Sequence, residues 1–122
     1  MALKVRKNLA KRPPDIALSV RGAEACPLNS AMELLGGAWA PHVIYYLSEQ
    51  PRRFGELRLD IPAISARVLS QRLKQLESKG VVNRRVVPTS PPSTEYQLTV
   101  LGKRLVPAIL AIADVGRSLQ SR

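Results

Sequence analysis

The run Ile64-Ser65-Ala66-Arg67-Val68-Leu69-Ser70-Gln71-Arg72-Leu73-Lys74-Gln75-Leu76-Glu77-Ser78-Lys79-Gly80 contains both ends of a helix. Ser65 suits the N-cap, because its hydroxyl can accept a hydrogen bond from an unpaired amide of the first turn. Ile64 before the cap and Leu69 four positions into the helix have the spacing of a hydrophobic staple. Gly80 suits the left-handed residue that closes a helix, and Lys79 places a cation at the negative end of the dipole. At about 100° per residue, Ala66, Leu69, Leu73 and Leu76 share one arc, which the pattern predicts to be buried.

The opposite arc carries Arg67, Ser70, Gln71, Lys74 and Ser78. It has donors, acceptors and two cations, and the only acid of the helix, Glu77, stands at its margin. Plain solvated surface and contact with DNA both fit such a face, so the neighbouring segments decide. Ahead of it, 52–59 reads as a short basic helix with Phe54 and Leu57 inward, and 60–63 as a turn. A short helix, a turn and a capped helix with a polar outer face make the helix-turn-helix pattern. After Gly80 the period becomes extended. Residues 81–87 are rich in β-branched side chains, and 95–98 alternate polar and apolar. The three prolines between them, Pro88, Pro91 and Pro92, make a stiff tip. The resulting two-stranded hairpin is the wing of a winged helix.

Upstream, 28–35 reads as a short helix capped by Asn29 or Ser30 and ended by Gly36-Gly37. A second helix is expected over 38–49, with Trp39, Val43, Tyr46 and Leu47 on its inner side and Pro41 tolerated in the first turn. Trp39 is read as a core anchor and His42 as a structural or solvated residue. Downstream, Thr99 caps a helix reaching about residue 119, with Leu101, Leu105, Ile109, Ile112 and Val115 in one long stripe. Pro107 inside it is expected to kink or divide it.

Composition sets the outer bounds. The 122 residues suffice for one domain, and 45% hydrophobic with 23% charged residues is a globular balance. Nineteen Lys and Arg against nine Asp and Glu give a net charge of +10, which favours a polyanionic partner. Residues 1–25 hold Lys4, Arg6, Lys7, Lys11, Arg12 and Arg21 against Asp15 and Glu24. This basic, partly ordered arm either lies along a phosphate backbone or docks on the body through 16–20, and the domain proper is expected over 26–122. A lone cysteine excludes an internal disulfide and makes a reducing compartment the default. The first 14 residues lack the apolar core of a secretory signal, and no apolar run reaches the roughly 20 residues of a membrane span. A cytoplasmic protein without a membrane partner is therefore expected. One histidine, one cysteine and no clustered acids leave no triad, paired carboxylates or metal set, and no phosphate loop appears, so neither an enzyme nor a cofactor protein is expected.

Cys26-Pro27, Leu34-Leu35-Gly36-Gly37-Ala38-Trp39 and Pro51-Arg52-Arg53-Phe54-Gly55-Glu56-Leu57 together resemble the HxlR-type transcription regulators. So do Ile64-Ser65, Leu69-Ser70-Gln71-Arg72-Leu73, Leu76-Glu77, Pro91-Pro92, Glu95-Tyr96-Gln97-Leu98-Thr99 and Gly102, in the same order over roughly 26–119. The resemblance implies a mostly helical α+β fold, a MarR-like winged helix-turn-helix. It also implies a homodimer built from the terminal helices that binds double-stranded DNA at a palindromic operator and represses or activates transcription. DNA contacts are implied in the helix over 65–79 and in the wing. Many members carry an arginine at the wing tip where this chain has Ser93, which shifts attention to Arg84 and Arg85 at the wing base. The resemblance further implies a sensor of oxidants or electrophiles at the position of Cys26, or an effector of another kind. The residue itself fits two readings, core packing beside Pro27 or a reactive thiol, since helix N-termini favour thiolates.

By side-chain chemistry, Arg67, Gln71 and Lys74 suit base edges in the major groove. Ser65, Ser70, Arg52, Arg53, Arg84 and Arg85 suit phosphates, which position a protein without specifying sequence. The competing expectation is a winged helix used for protein interaction, or a general nucleoid-type binder with little sequence preference.

Overall fold

The computed structural model describes residues 26–121, so the basic arm lies outside the described residues. The chain forms two units, Met1–Gly36 and Gly37–Arg122. In the first, helix α1 spans Pro27–Leu34. Pro27 takes its first turn, where a fixed φ is suited and the missing N–H costs no bond. The cap is therefore Cys26, not Asn29 or Ser30, and its side chain makes no capping bond. Cys26 is exposed, which removes the core-packing reading. No residue of α1 is buried.

The second unit begins with Gly37 and Trp39 both at positive φ, +90° and +75°. That left-handed turn delays helix α2 to Ala40–Leu47, shorter at both ends than expected. Ala40, Val43, Ile44 and Leu47 are its buried residues. Trp39 stays outside the helix, half-buried, with its ring 4.7 Å from that of His42. It flanks the core and does not anchor it.

Strand β1 (Arg52–Arg53), helix α3 (Phe54–Asp60), helix α4 (Ala66–Ser78), strands β2 (Val82–Val87) and β3 (Ser93–Leu98) and helix α5 (Val100–Gln120) follow. The sheet is antiparallel and three-stranded, in the order β1-β3-β2, so the hairpin of β2 and β3 gains a partner strand that the sequence did not announce. Arg53 explains the addition. It is the N-cap of α3 with extended φ and ψ of −82° and 162°. The Glu56 carboxylate accepts from its backbone N–H at 2.8 Å. A cap residue is extended by nature, and here that extension lets Arg52 and Arg53 pair with Tyr96 and Glu95.

Leu57, Leu69, Leu73, Leu76, Val81 and Val82, with Val43 and Ile44 of α2, are the most deeply buried large side chains. Helix α5 remains one helix across Pro107. The residue four before it, Lys103, is exposed like Pro107 itself, so water can take the carbonyl that the proline leaves without a donor. Among the described residues, no helix is long and apolar enough to cross a membrane.

At the start of α5, the Thr99 hydroxyl accepts from the Gly102 N–H at 3.1 Å and donates to the Gly80 carbonyl at 2.6 Å. The Thr99 N–H donates to the Val81 carbonyl at 3.0 Å. A Cβ on Gly102 would stand 2.3 Å from that same carbonyl oxygen. Gly102→Ala must therefore push α5 off the strand. We expect a loss of about 1–3 kcal/mol, the range for overpacking, in a denaturant titration. Gly55→Ala, where nothing lies within 4 Å, is the matched control and should leave the midpoint nearly unchanged.

Candidate nucleic-acid interface

Helix α4 begins as the sequence requires, with the Ser65 hydroxyl accepting from the Val68 N–H at 3.1 Å. It ends at Lys79, with Gly80 at φ +77°. Leu69, Leu73 and Leu76 are buried. Ala66, expected on the same arc, is exposed, because the first turn projects beyond the core. Arg67, Gln71, Lys74 and Ser78 are exposed and Ser70 is half-buried, so the polar arc faces out along the helix. Ahead of it, Ile61 and Ile64 are buried in the turn that joins α3 to α4. Helix, turn and helix thus hold the polar arc away from the core.

Arg72 points elsewhere. Its Nε donates to the Ala38 carbonyl and its Nη1 to Gln75 Oε1. A Cβ on Gly37 would come within 2.6 Å of that Nη1, so the guanidinium lies close against the turn before α2. A bare backbone at 37 is what admits it. Arg72 ties the helix to the body and leaves the outer arc to its neighbours.

In the sheet, register sorts the arginines. Tyr96 on the central strand stands opposite Arg52 and Arg84, and Glu95 stands opposite Arg53 and Arg85. Neighbours across a strand share a face. Arg52, Tyr96 and Arg84 therefore form one row, on the face that also carries the buried Val82 and Leu98. Arg53, Glu95 and Arg85 form the other. Arg85 Nη2 meets Glu95 Oε1 at 3.1 Å, and Arg84 Nε meets Glu77 Oε2 at 3.1 Å, yet both arginines remain more than half exposed, at 56% and 58%. Arg53 is exposed.

Arg52 is held more tightly than the other three. Its side chain is only 17% exposed, and it reaches Glu49 at 3.0 Å and Asp60 at 3.6 Å. It clasps the loop after α2 to the end of α3. Sequence reasoning had no signal for that pairing, nor for the carboxylates on Arg84 and Arg85. The marginal place of Glu77 on its helix was the only hint.

A helix-turn-helix whose second helix turns a polar, cationic arc outward, followed by a two-stranded wing that pairs with a short strand ahead of the motif, defines a winged helix-turn-helix domain. Comparison with known proteins places it further. The profile of the HxlR-like helix-turn-helix family matches residues 34–122, and the chain belongs to that family. The HTH-type transcriptional regulator YdeP of Bacillus subtilis is 37% identical over 99 residues, 81% of this chain and 77% of its own. Among solved structures, the redox regulator HypR in its oxidised form superposes with a TM-score of 0.71 at 35% identity, over 76% of this chain and 96% of its own. A chain from Porphyromonas gingivalis W83 assigned to MarR-family regulators gives a TM-score of 0.72 at 34% identity, over 88% and 97%. The protein is thus a transcriptional regulator of the winged helix-turn-helix type, in a family of regulators and not of enzymes.

Proposed function

We propose that this regulator binds palindromic operator DNA as a homodimer, laying α4 in the major groove and the wing base against the flanking backbone, and that it acts as a repressor. The observation that carries the reading is the outward arc of Arg67, Gln71 and Lys74, free of any acid and held rigidly by the Ser65 cap and the Leu69-Leu73-Leu76 seam. Arginine forks guanine, glutamine reads adenine and lysine adds a second cation, so the arc can discriminate base edges. Ser65, Ser70, Arg53, Arg84 and Arg85 are assigned to phosphates.

The dimer is supported by apolar surface without cover. On α5, Ile112, Val115 and Leu119 are 64%, 60% and 58% exposed, and on α1 Leu28 is 67% exposed. A groove of about 480 Å³ between α2 and α5, lined by Tyr45, Tyr46, Ile109 and Ile112 among others, continues that surface. A second copy laid on α5 would cover the surface there, and α1 of each copy is proposed as a further part of the contact. Cys26 is proposed as the site at which an oxidant or electrophile acts, since it is exposed and two similar structures are described as a redox regulator and as a diamide-treated form. As the only cysteine, it would yield a sulfenic acid, a mixed disulfide or a bridge between subunits.

Arg67→Ala or Gln71→Ala should weaken binding to a selected operator by about 1–3 kcal/mol and to random duplex far less. Equal losses on both would remove base reading and favour a general DNA binder. In sedimentation velocity the natural chain should run as a dimer at micromolar concentration, and Ile112→Asp should run as a monomer. Mild peroxide or diamide should change operator affinity of the natural protein and leave Cys26→Ser unchanged. An equal response, or none, in both proteins would exclude Cys26 as the trigger.

A further inference from the structure

Glu77 and Arg84 join the last turn of α4 to the first strand of the wing, and the atoms they use are informative. The contact runs from Arg84 Nε to Glu77 Oε2 at 3.1 Å. Glu77 is 28% exposed and Arg84 58%. A guanidinium has five N–H donors in a planar fork and grips a phosphate with two parallel N–H groups, and its two terminal nitrogens form one such pair. The structure places the carboxylate on the remaining nitrogen. Arg85 shows the alternative. There Glu95 takes Nη2, one tine of the fork itself.

We infer that Glu77 is a positioning residue for DNA binding, holding the Arg84 guanidinium by its Nε so that both terminal nitrogens are presented to a backbone phosphate beside α4. This rests on the proposed function. An unrestrained arginine at the wing base would have to lose its rotamer freedom on binding, at a cost that restraint in the free protein removes. An acid near the face that meets a polyanion is repulsive on simple electrostatics, and its removal should strengthen binding. The positioning role has the opposite sign, so the two effects can be told apart. Glu77 also sits at the negative end of the α4 dipole, where an acid stabilises nothing, so removing it leaves the helix intact.

The probe is a random-sequence duplex, because a phosphate contact carries no sequence information. Glu77→Ala should bind it about three- to tenfold more weakly than the natural protein, the range expected for one restrained long side chain. Its affinity should also fall less steeply with salt, by about 0.9 in the logarithmic slope. Glu77→Gln keeps an oxygen acceptor for Nε and should restore the natural affinity or exceed it. In an Arg84→Ala background, Glu77→Ala should cause no further loss, and thermal melting should show all variants folded. Unchanged or tighter binding by Glu77→Ala overturns the assignment, as does an equal loss with and without Arg84. Failure of base reading by Arg67 and Gln71 leaves this test standing. If the natural chain binds no duplex at all, the proposed operator binding and the Glu77 role both fall.

Discussion

The structure hangs on the backbone around Gly80, Val81 and Thr99. Here α4 ends, β2 begins, β3 ends and α5 begins, four chain directions within a few residues. The carbonyl of Leu76 takes the Val81 N–H at 2.9 Å, and the carbonyl of Val81 takes the Thr99 N–H at 3.0 Å. The Thr99 hydroxyl adds one bond to Gly80 and receives one from Gly102. Val81 itself is fully buried. A buried carbonyl without a donor would cost about as much as a lost hydrogen bond, so the knot is obligatory once the core closes over it. Only glycine at 102 allows α5 to approach that carbonyl. The angle between α4 and the wing, on which any grip on DNA depends, follows from these bonds.

Around this knot the charged residues divide by task. Arg52 and Arg72 are drawn inward, one to Glu49 and Asp60, the other to the Ala38 carbonyl. They hold α3 and α4 to the body. Arg53, Arg84 and Arg85 stay at the surface of the sheet, and Arg67 and Lys74 at the surface of α4. Composition alone cannot separate these groups, since a net charge of +10 counts a clasp and a contact alike. Register and burial separate them.

What the sequence revealed was local. The caps at Ser65 and Thr99, the left-handed Gly80 and the Leu69-Leu73-Leu76 seam are decided by residues within a turn of one another, and their periodicity is visible in a single line of text. The features that escaped it depend on partners far along the chain or on backbone angles that residue type does not betray. Strand β1 exists because 52–53 meet 95–96. Trp39 leaves the core because it adopts φ +75°, which is rare for a bulky residue. Cys26 became the cap because Pro27 accepts a first-turn position that the apolar pattern did not mark. In the candidate site, the outer arc of α4 was legible and the pairing of each wing arginine was not. Cross-strand neighbours appear only once the register is known.

In the proposed complex α4 occupies the major groove, twice per bound dimer. Dimethyl sulfate protection of a selected operator reports it directly, because the reagent reaches guanine N7 in the major groove and adenine N3 in the minor groove. Two clusters of guanine N7 should be protected, centred about one helical turn apart, the spacing of a two-fold helix-turn-helix dimer. Protection confined to adenine N3, or a single cluster of protected guanines, would contradict it.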